Sequence, residues 1–435
     1  MRKIRGILTP HNKNTAGLVP ETITVPPEVR LGLSMHGGAP AIPIVAKGDA
    51  VRVGQLIAQA DGKISSPVHA SVSGTVKNID EYDSVTGEKN EKTGSIVLTS
   101  DGEQTLFEGI TPPTVTNIEE FLTAVRDSGV VGLGGAGYPT AHKLTLREGT
   151  KLDYILVNGA ECEPYITSDT RTMIDEAAHV FRGCELLKKY LGPQNIVICI
   201  ESNKPEAIER LEKLSADTDG VEVRVLPSRY PQGERKVLVY NVTGRIVPEG
   251  GRLTDVGCIV INCTTVAVLA KYIETGMPLT HRIVTVDGSA VRTPKNVVAP
   301  LGTPIRALFE HCGGLTEDAT KIIMGGPMMG MATPSLDTPT VKVTGSVMAL
   351  NAKDSKGLEA TPCIKCARCI HQCPIKLLPS YIELAYELKD VGALNRYKVN
   401  MCLECGCCAY VCPARRPLSH VMVLAKNMQW EARQK

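Results

Sequence analysis

Nine of the chain's 15 cysteines fall between Cys363 and Cys412. Cys363, Cys366, Cys369 and Cys373, followed by Pro374, have the spacing C-x2-C-x2-C-x3-C-P; Cys402, Cys405, Cys408 and Cys412, before Pro413, repeat it. Three thiolates so close along the chain can wrap one iron–sulfur cubane while neighbouring backbone amides donate to its sulfurs. In this arrangement the fourth cysteine of each run ligates the other cluster. Cluster one is therefore expected on Cys363, Cys366, Cys369 and Cys412, and cluster two on Cys402, Cys405, Cys408 and Cys373. The proline keeps the chain from continuing as helix past the fourth ligand. Zinc knuckles would need two C-x2-C pairs brought together, not three cysteines at consecutive x2 spacings. Cys407 sits beside Cys408; register favours Cys408 and leaves Cys407 a packed thiol. Two four-iron, four-sulfur clusters would handle electrons one at a time.

A second group of residues suits phosphates or a flat ring. Gly132-Leu133-Gly134-Gly135-Ala136-Gly137 satisfies G-x-G-x-x-G, which alone is a weak signal. A helix over Ile118–Asp127 precedes it and Tyr138-Pro139 follows, so it is no Rossmann turn. Bare backbone N–H groups there could approach an anion. Close behind, at the end of a strand, come Asn158-Gly159-Ala160-Glu161-Cys162-Glu163-Pro164, where an open α/β sheet usually places its ligand crevice.

These residues need elements to hold them, and the chain divides into several. A length of 435 residues exceeds one ordinary core, and the hydrophobic and charged fractions, 43% and 22%, are those of a soluble globular protein. A formal net charge of +2 gives no case for nucleic acid, and a single Trp with four Phe argues against base stacking. No apolar stretch is long enough to span a bilayer, and the basic start Met1-Arg2-Lys3-Ile4-Arg5 lacks the apolar run of a secretory signal. The expectation is a cytoplasmic protein that meets a membrane only through partners. The odd cysteine count and their clustering fit a reducing compartment, with Cys162, Cys184, Cys199, Cys258, Cys263 and Cys312 as small buried hydrophobes.

The expected fold class is multidomain α/β and α+β. Residues 1–110 read as short strands with Gly-Asp and Asp-Gly turns, a carrier-like β-sandwich similar to biotinyl and lipoyl domains. Lys63 lies near the hairpin tip where such carriers hold a cofactor, but its surroundings favour a scaffold. His36 and His69 read as turn residues. Residues 115–275 alternate strand and helix, including a helix over Ala177–Leu191 closed by Gly192, and predict a largely parallel sheet. Residues 280–330 read as another small unit of strands and a helix, which the family resemblance given below implies is a β-grasp unit; 331–355 read as a linker and 356–435 as the dicluster ferredoxin domain. A helix from Ser380 to Leu394 would connect the cysteine runs.

Gly134-Gly135-Ala136-Gly137-Tyr138-Pro139-Thr140 with Lys143, and Asn158 to Pro164, resemble the flavin and NADH site of the complex I flavoprotein. Tyr230-Pro231-Gln232-Gly233-Glu234 and Asn262-Cys263-Thr264-Thr265 extend the likeness. The order of parts is similar to the C-subunit family of Rnf ion-translocating ferredoxin:NAD oxidoreductases. It begins with an N-terminal unit carrying His36-Gly37-Gly38-Ala39-Pro40 and ends in two cysteine runs; Gly325-Gly326-Pro327-Met328-Met329-Gly330 also matches. The complex I flavoprotein lacks the N-terminal unit and carries one cluster here. Flavin and iron–sulfur reductases of bacterial microcompartments share the layout, and many relatives have Phe at Tyr138.

The resemblance implies non-covalent FMN and NAD(H). Since nicotinamide exchanges hydride and each cluster one electron, a flavin is needed between them. Gly134, Gly135 and Gly137 would present backbone amides to FMN or the dinucleotide, with Ala136 and Tyr138 in the same cofactor loop and Lys143 near a phosphate. Asn158, Glu161, Asn262, Thr264 and Thr265 would hold the flavin, and Glu163 or Glu234 would face the nicotinamide. No catalytic acid or base is expected, because hydride transfer is direct. The bland readings make the three glutamates solvated loop carboxylates and Lys143 a surface charge. The implied role is a peripheral electron-transfer subunit on the cytoplasmic side of the cell membrane. Its partners would be the other Rnf subunits, the ferredoxin-like one above all. Alternatives are a soluble flavin and iron–sulfur reductase of a cobalamin or amino-acid reductase system, or an electron-transfer module without nucleotide binding.

Overall fold

Glycine turns cut the first hundred residues into short strands. The computed structural model of the chain describes residues 6–83, 92–357 and 359–434; Met1 to Arg5 and Lys435 lie outside them. The first strand, β1 (Glu21–Thr22), joins a later sheet. Next come β2 (Glu28–Gly32), β3 (Ile42–Pro43), β4 (Ala50–Val51), β5 (Leu56–Gln59), β6 (Val68–His69), β7 (Gly74–Asp83) and β8 (Lys92–Ser100). They make two sheets, ordered β2-β8-β7-β4 and β3-β5-β6. Leu31, Ile57, Val68 and Leu98 meet in one core between them. Lys63 is exposed between β5 and β6.

The α/β domain opens with α1 (Ile118–Asp127), whose N-cap Asn117 accepts from the Glu120 N–H at 2.9 Å. There follow α2 (Thr140–Leu144), β9 (Tyr154–Gly159), α3 (Ser168–Asp175) and α4 (Ala177–Leu191). Gly192 ends α4 in the left-handed region, φ 59°, as the sequence predicts. Then come β10 (Asn195–Glu201), α5 (Pro205–Ala216), β11 (Val221–Leu226), α6 (Arg235–Thr243), β12 (Cys258–Asn262) and α7 (Cys263–Thr275). The sheet is parallel throughout, in the order β11-β10-β9-β12. Helices cover both faces, so alternate residues bury in opposite directions: Ile155 and Val157 enter one core, Leu156 the other.

A six-stranded mixed sheet follows, built from β13 (His281–Asp287), β14 (Lys295–Pro300), β15 (Ala319–Met324), β16 (Met331–Thr333) and β17 (Ser346–Asn351) with β1 at one edge. Helix α8 (Ile305–His311) packs on it through Ile305, Leu308 and Phe309. The segment 331–355 is not the linker that its composition suggests. Strand β17 lies inside the sheet, parallel to β13 and antiparallel to β15. Val347, Met348 and Ala349 are fully buried, a three-residue apolar run hidden in Thr-, Ser- and Pro-rich surroundings.

The last domain holds α9 (Arg368–His371), α10 (Pro379–Glu387), α11 (Val391–Arg396), α12 (Cys407–Tyr410) and α13 (Leu418–Gln434). The single helix expected over 380–394 is two. Lys389 takes φ 54°, which stops α10, and the Asp390 carboxylate caps α11 by accepting from the Ala393 N–H at 2.8 Å. Ile382, Leu394 and Met422 close the core of this domain. None of the described helices is long and apolar enough to cross a membrane.

Candidate functional site

The glycine loop lies between α1 and α2. Val131 bridges Pro139, the Gly132 N–H donates to Tyr138 O at 2.9 Å, and the Gly137 N–H donates to Gly132 O at 3.1 Å. This closes the loop into a narrow finger with Gly134, Gly135 and Ala136 exposed at its tip. Gly135 and Gly137 have φ of +111° and +61°, which a side chain would oppose. A Cβ on Gly134 would stand 3.0 Å from Asn262 Nδ2, a tight approach, so glycine eases the contact of the finger with the end of β12. Among the described residues the N–H groups of Gly134, Gly135 and Ala136 meet no acceptor. Successive free amides of this kind form a nest for an anion.

Lys143, on α2, brings its ammonium to this finger: a Cβ on Gly132 would lie 3.6 Å from Lys143 Nζ. Burial and the Arg235 guanidinium push its pKa down to about 8. A half-buried amine beside a second cation and three free amides is suited to a phosphate. Tyr138 packs edge-on against His142 with ring centroids 5.6 Å apart.

Asn158 and Asn262 stand opposite one another at the C-terminal ends of β9 and β12. Both side chains bond inward. Asn158 Nδ2 donates to Gly233 O at 2.9 Å and its Oδ1 accepts from the Ala160 N–H at 3.2 Å. Asn262 Oδ1 caps α7 by accepting from the Thr265 N–H at 3.1 Å, and Nδ2 donates to Asp169 at 2.7 Å. Thr264 Oγ1 donates to the other oxygen of Asp169 at 2.6 Å. Thr265, fully buried, accepts from the Leu133 N–H at 3.0 Å. Asp169 therefore joins β12, α7 and α3, and the sequence reading did not single it out. Its one signal was the run Thr167-Ser168-Asp169-Thr170, a common helix-start composition.

The glutamates separate. Glu161, with φ 46°, turns its carboxylate onto the start of α3, where Oε1 accepts from the Asp169 N–H at 2.6 Å and Oε2 from Thr170. Lys13 donates to the carbonyls of Glu161 and Glu163, each at 2.8 Å, and pins this turn. Glu161, Thr264 and Thr265, expected to hold the flavin, bond to the protein's own groups: Glu161 to the start of α3, Thr264 to Asp169 and Thr265 to the Leu133 N–H. Glu163 is different. Its Oε2 accepts from the Met328 N–H at 3.0 Å, while Oε1 is buried with no partner among the described residues. Burial raises its pKa to about 7. A Cβ on Gly326 would fall 2.5 Å from Glu163 Oε2, so the glycine turn after β15 makes room for this carboxylate. Glu234 caps α6, accepting from the N–H groups of Lys236 and Val237 at 2.8 and 3.0 Å.

The cysteine runs fold as a pseudo-symmetric pair. Lys365 and Glu404, each two residues past the first cysteine, share φ 55°; Lys376 and Arg415, each three past the fourth, have φ 59° and 55°. The N–H groups of Lys365 and Glu404 point at the sulfurs of Cys363 and Cys402, both at 3.4 Å. One cavity is lined by Cys402, Cys405, Cys407 and Cys408 together with Cys373. Cys412 packs with Cys369, Cys408 and Leu418. The Thr361 N–H donates to Ala414 O at 2.9 Å, tying the start of one run to the end of the other. This interleaving suits thiolates exchanged between two cubanes. Cys363 and Cys366 are exposed, whereas Cys405 and Cys407 pack with Ile7 and Tyr230 against the α/β domain.

Matches to known families follow the same divisions. The RnfC barrel sandwich hybrid domain covers residues 2–103, the Nuo51 FMN-binding domain 125–271, the SLBB domain 283–332, and a 4Fe-4S dicluster domain 356–413. The C-subunit of the proton-translocating ferredoxin:NAD(+) oxidoreductase complex of Clostridium ljungdahlii is 38% identical, over 88% of this chain and 84% of that one. Its counterpart in the Na(+)-translocating complex of Acetobacterium woodii is 38% identical over 86% and 85%. The corresponding protein of the ion-translocating oxidoreductase complex of Rhodobacter capsulatus is 36% identical over 89% and 76%. Among solved structures, an NAD+-reducing [NiFe]-hydrogenase in its H2-reduced state superposes with TM-score 0.50 at 18% identity, covering 73% of this chain and 62% of that one, a likeness of fold.

Proposed function

The chain belongs to the C-subunit family of Rnf-type ion-translocating ferredoxin:NAD(+) oxidoreductases, and from that premise we propose how its residues serve electron transfer. It is an oxidoreductase subunit that carries FMN and two four-iron clusters and works with NAD(H) within a multi-subunit complex. Bound flavin supplies the exchange between hydride and single electrons. The free amides of Gly134, Gly135 and Ala136 and the ammonium of Lys143 take the cofactor's phosphate. Glu163, with one unpartnered oxygen in the crevice, is the carboxylate on the nicotinamide side.

Cys373 with Cys402, Cys405 and Cys408 holds the cluster nearer the flavin; Cys412 with Cys363, Cys366 and Cys369 holds the one nearer the surface. The observation that carries this order is the buried contact of Cys405 and Cys407 with Tyr230, which seats the second run on the α/β domain. Exposed Cys363 and Cys366 leave the other cluster open to a partner with a one-electron centre, the ferredoxin-like member of the complex. The chain sits peripherally on the cytoplasmic side of the membrane.

Anaerobic reconstitution with iron, sulfide and FMN, followed by NADH titration, tests the proposal. The expected result is flavin bleaching followed by loss of cluster absorbance. Protein that binds FMN but is reduced only by ferredoxin, never by NADH, would overturn the nucleotide assignment.

A further inference from the structure

The finger that carries the free amides is held by partners outside its own helix pair. Gly129 O accepts from Lys342 Nζ at 2.8 Å, and Val131 O accepts from Thr265 Oγ1 at 3.3 Å. Leu133 O accepts from Arg282 Nη2 at 3.2 Å, and Gly137 O accepts from the Gly37 N–H at 2.9 Å. The four donors come from the loop before β17, from α7, from β13 and from the N-terminal unit. Val130, Val131 and Leu133 also place their side chains in the core of that N-terminal unit.

Two of the donors are buried basic side chains, Lys342 with its pKa pushed down by burial to about 7 and Arg282 to about 10. Lys342 is 1% exposed and uses its ammonium on Ser66 Oγ at 3.0 Å, Pro67 O at 2.6 Å and Gly129 O. Arg282 is 4% exposed; only Nη2 is bonded, and Nε and Nη1 have no partner among the described residues. Neither forms an ion pair among the described residues, although Asp169 lies close enough to Arg282 to favour its charge. Burying such groups against neutral carbonyls is costly, and an apolar side chain would fill the space more cheaply. Their geometry gives them a use. In a planar trans peptide the C=O of one residue points opposite to the N–H of the next. Drawing Leu133 O toward Arg282 thus turns the Gly134 N–H away from the guanidinium, toward the crevice.

We propose that Arg282 and Lys342 are positioning residues for the cofactor: Arg282 draws the Leu133 carbonyl to the buried side and so presents the Gly134 amide to an anion, while Lys342 anchors the base of the finger through Gly129 O, where the following Val130 N–H already donates to Ser128 Oγ at 3.1 Å. Both lie outside the stretch that matches the FMN-binding domain, so the site is completed by the flanking units. The N-terminal sandwich and the six-stranded sheet are then walls of the flavin site. This rests on reading the finger as the FMN-binding edge.

The test uses the full chain with its clusters reconstituted, comparing wild type with R282M, R282K and K342M. Hydrogen exchange of amides 129–138 without FMN reports the finger; flavin fluorescence titration reports FMN affinity; cluster absorbance and melting report the fold. R282M and K342M should exchange the bonded finger amides of Gly132, Leu133 and Gly137 faster and bind FMN about tenfold or more weakly, the loss of one charged hydrogen bond, with clusters intact. R282K should recover part of the affinity by restoring a donor. If R282M does not fold, R282K and K342M, which each keep a cation or a contact, give the same comparison. Unchanged exchange, or faster exchange with unchanged FMN affinity, overturns the proposal. Wild-type protein that binds no FMN instead sinks the reading beneath it, whatever the variants do to exchange.

Discussion

The sulfur of Cys407 lies 3.9 Å from the carbonyl oxygen of Tyr230, while its neighbour Cys408 packs with Cys369 and Leu418. Consecutive residues of a helix point about 100° apart. Both thiols line the cavity that also holds Cys373, Cys402 and Cys405, and we propose that the contact with Tyr230 holds Cys407 back and leaves Cys408 as the ligand. C407S is expected to keep the full iron content on reconstitution, and C408S to lose about half, one cubane of two. Iron and sulfide analysis with electron paramagnetic resonance decides it; equal loss in both variants would contradict the assignment.

The interleaving of the runs has its own test. With crossed ligands, Cys363 and Cys373 serve different clusters, so the double variant C363S/C373S should lose both. C373S/C402S should lose only one. An uncrossed arrangement reverses this pattern, and metal analysis of the two double variants separates them.

Lys143 has its pKa lowered to about 8, and a phosphate needs it charged. FMN affinity should fall as pH rises through about 8, as the ammonium loses its proton. K143Q should bind FMN roughly ten- to a hundredfold more weakly and lose that pH step, the value of one charge-assisted hydrogen bond. Fluorescence titrations from pH 6 to 9 give both.

Asp169 accepts from Asn262 and Thr264, which bind one carboxylate oxygen each. T264V leaves one acceptor oxygen unpaired and should cost about 1–3 kcal/mol of stability. Denaturant unfolding followed by far-ultraviolet dichroism measures it; a loss below experimental error would show that this network is not needed.

His36 and His69 are buried beside Lys342, and their pKa values are lowered to about 4 and about 3 by burial first and by that ammonium second. Unfolded histidine protonates near 6.5, so below that pH the unfolded chain binds protons that the native chain refuses. Stability is then whole above pH 6.5 and falls as the solution is acidified toward pH 4, by ~1.4 kcal/mol for each pH unit and histidine. H69N should flatten the slope of melting temperature against pH over that window. An unchanged slope would place the acid sensitivity elsewhere.

The sequence by itself determined what depends on neighbours along the chain. The x2 spacings set three thiols close together along each run, Gly192 stops α4, and alternate apolar residues in β9 and β12 make a sheet buried on both faces. The order of the units and the glycine finger were legible in the same way. Tertiary structure decided where side chains point and which distant carbonyls they meet. Glu161 read as a crevice carboxylate, but a positive φ and the open start of α3 turned it inward. Val347 to Ala349 read as part of a linker, because three apolar residues carry no period until β13 and β15 bracket them. Arg282 and Lys342 gave no signal, since a buried cation is recognisable only once the chain has enclosed it. A charge's cost and use both depend on its surroundings, and those come from residues more than a hundred positions away.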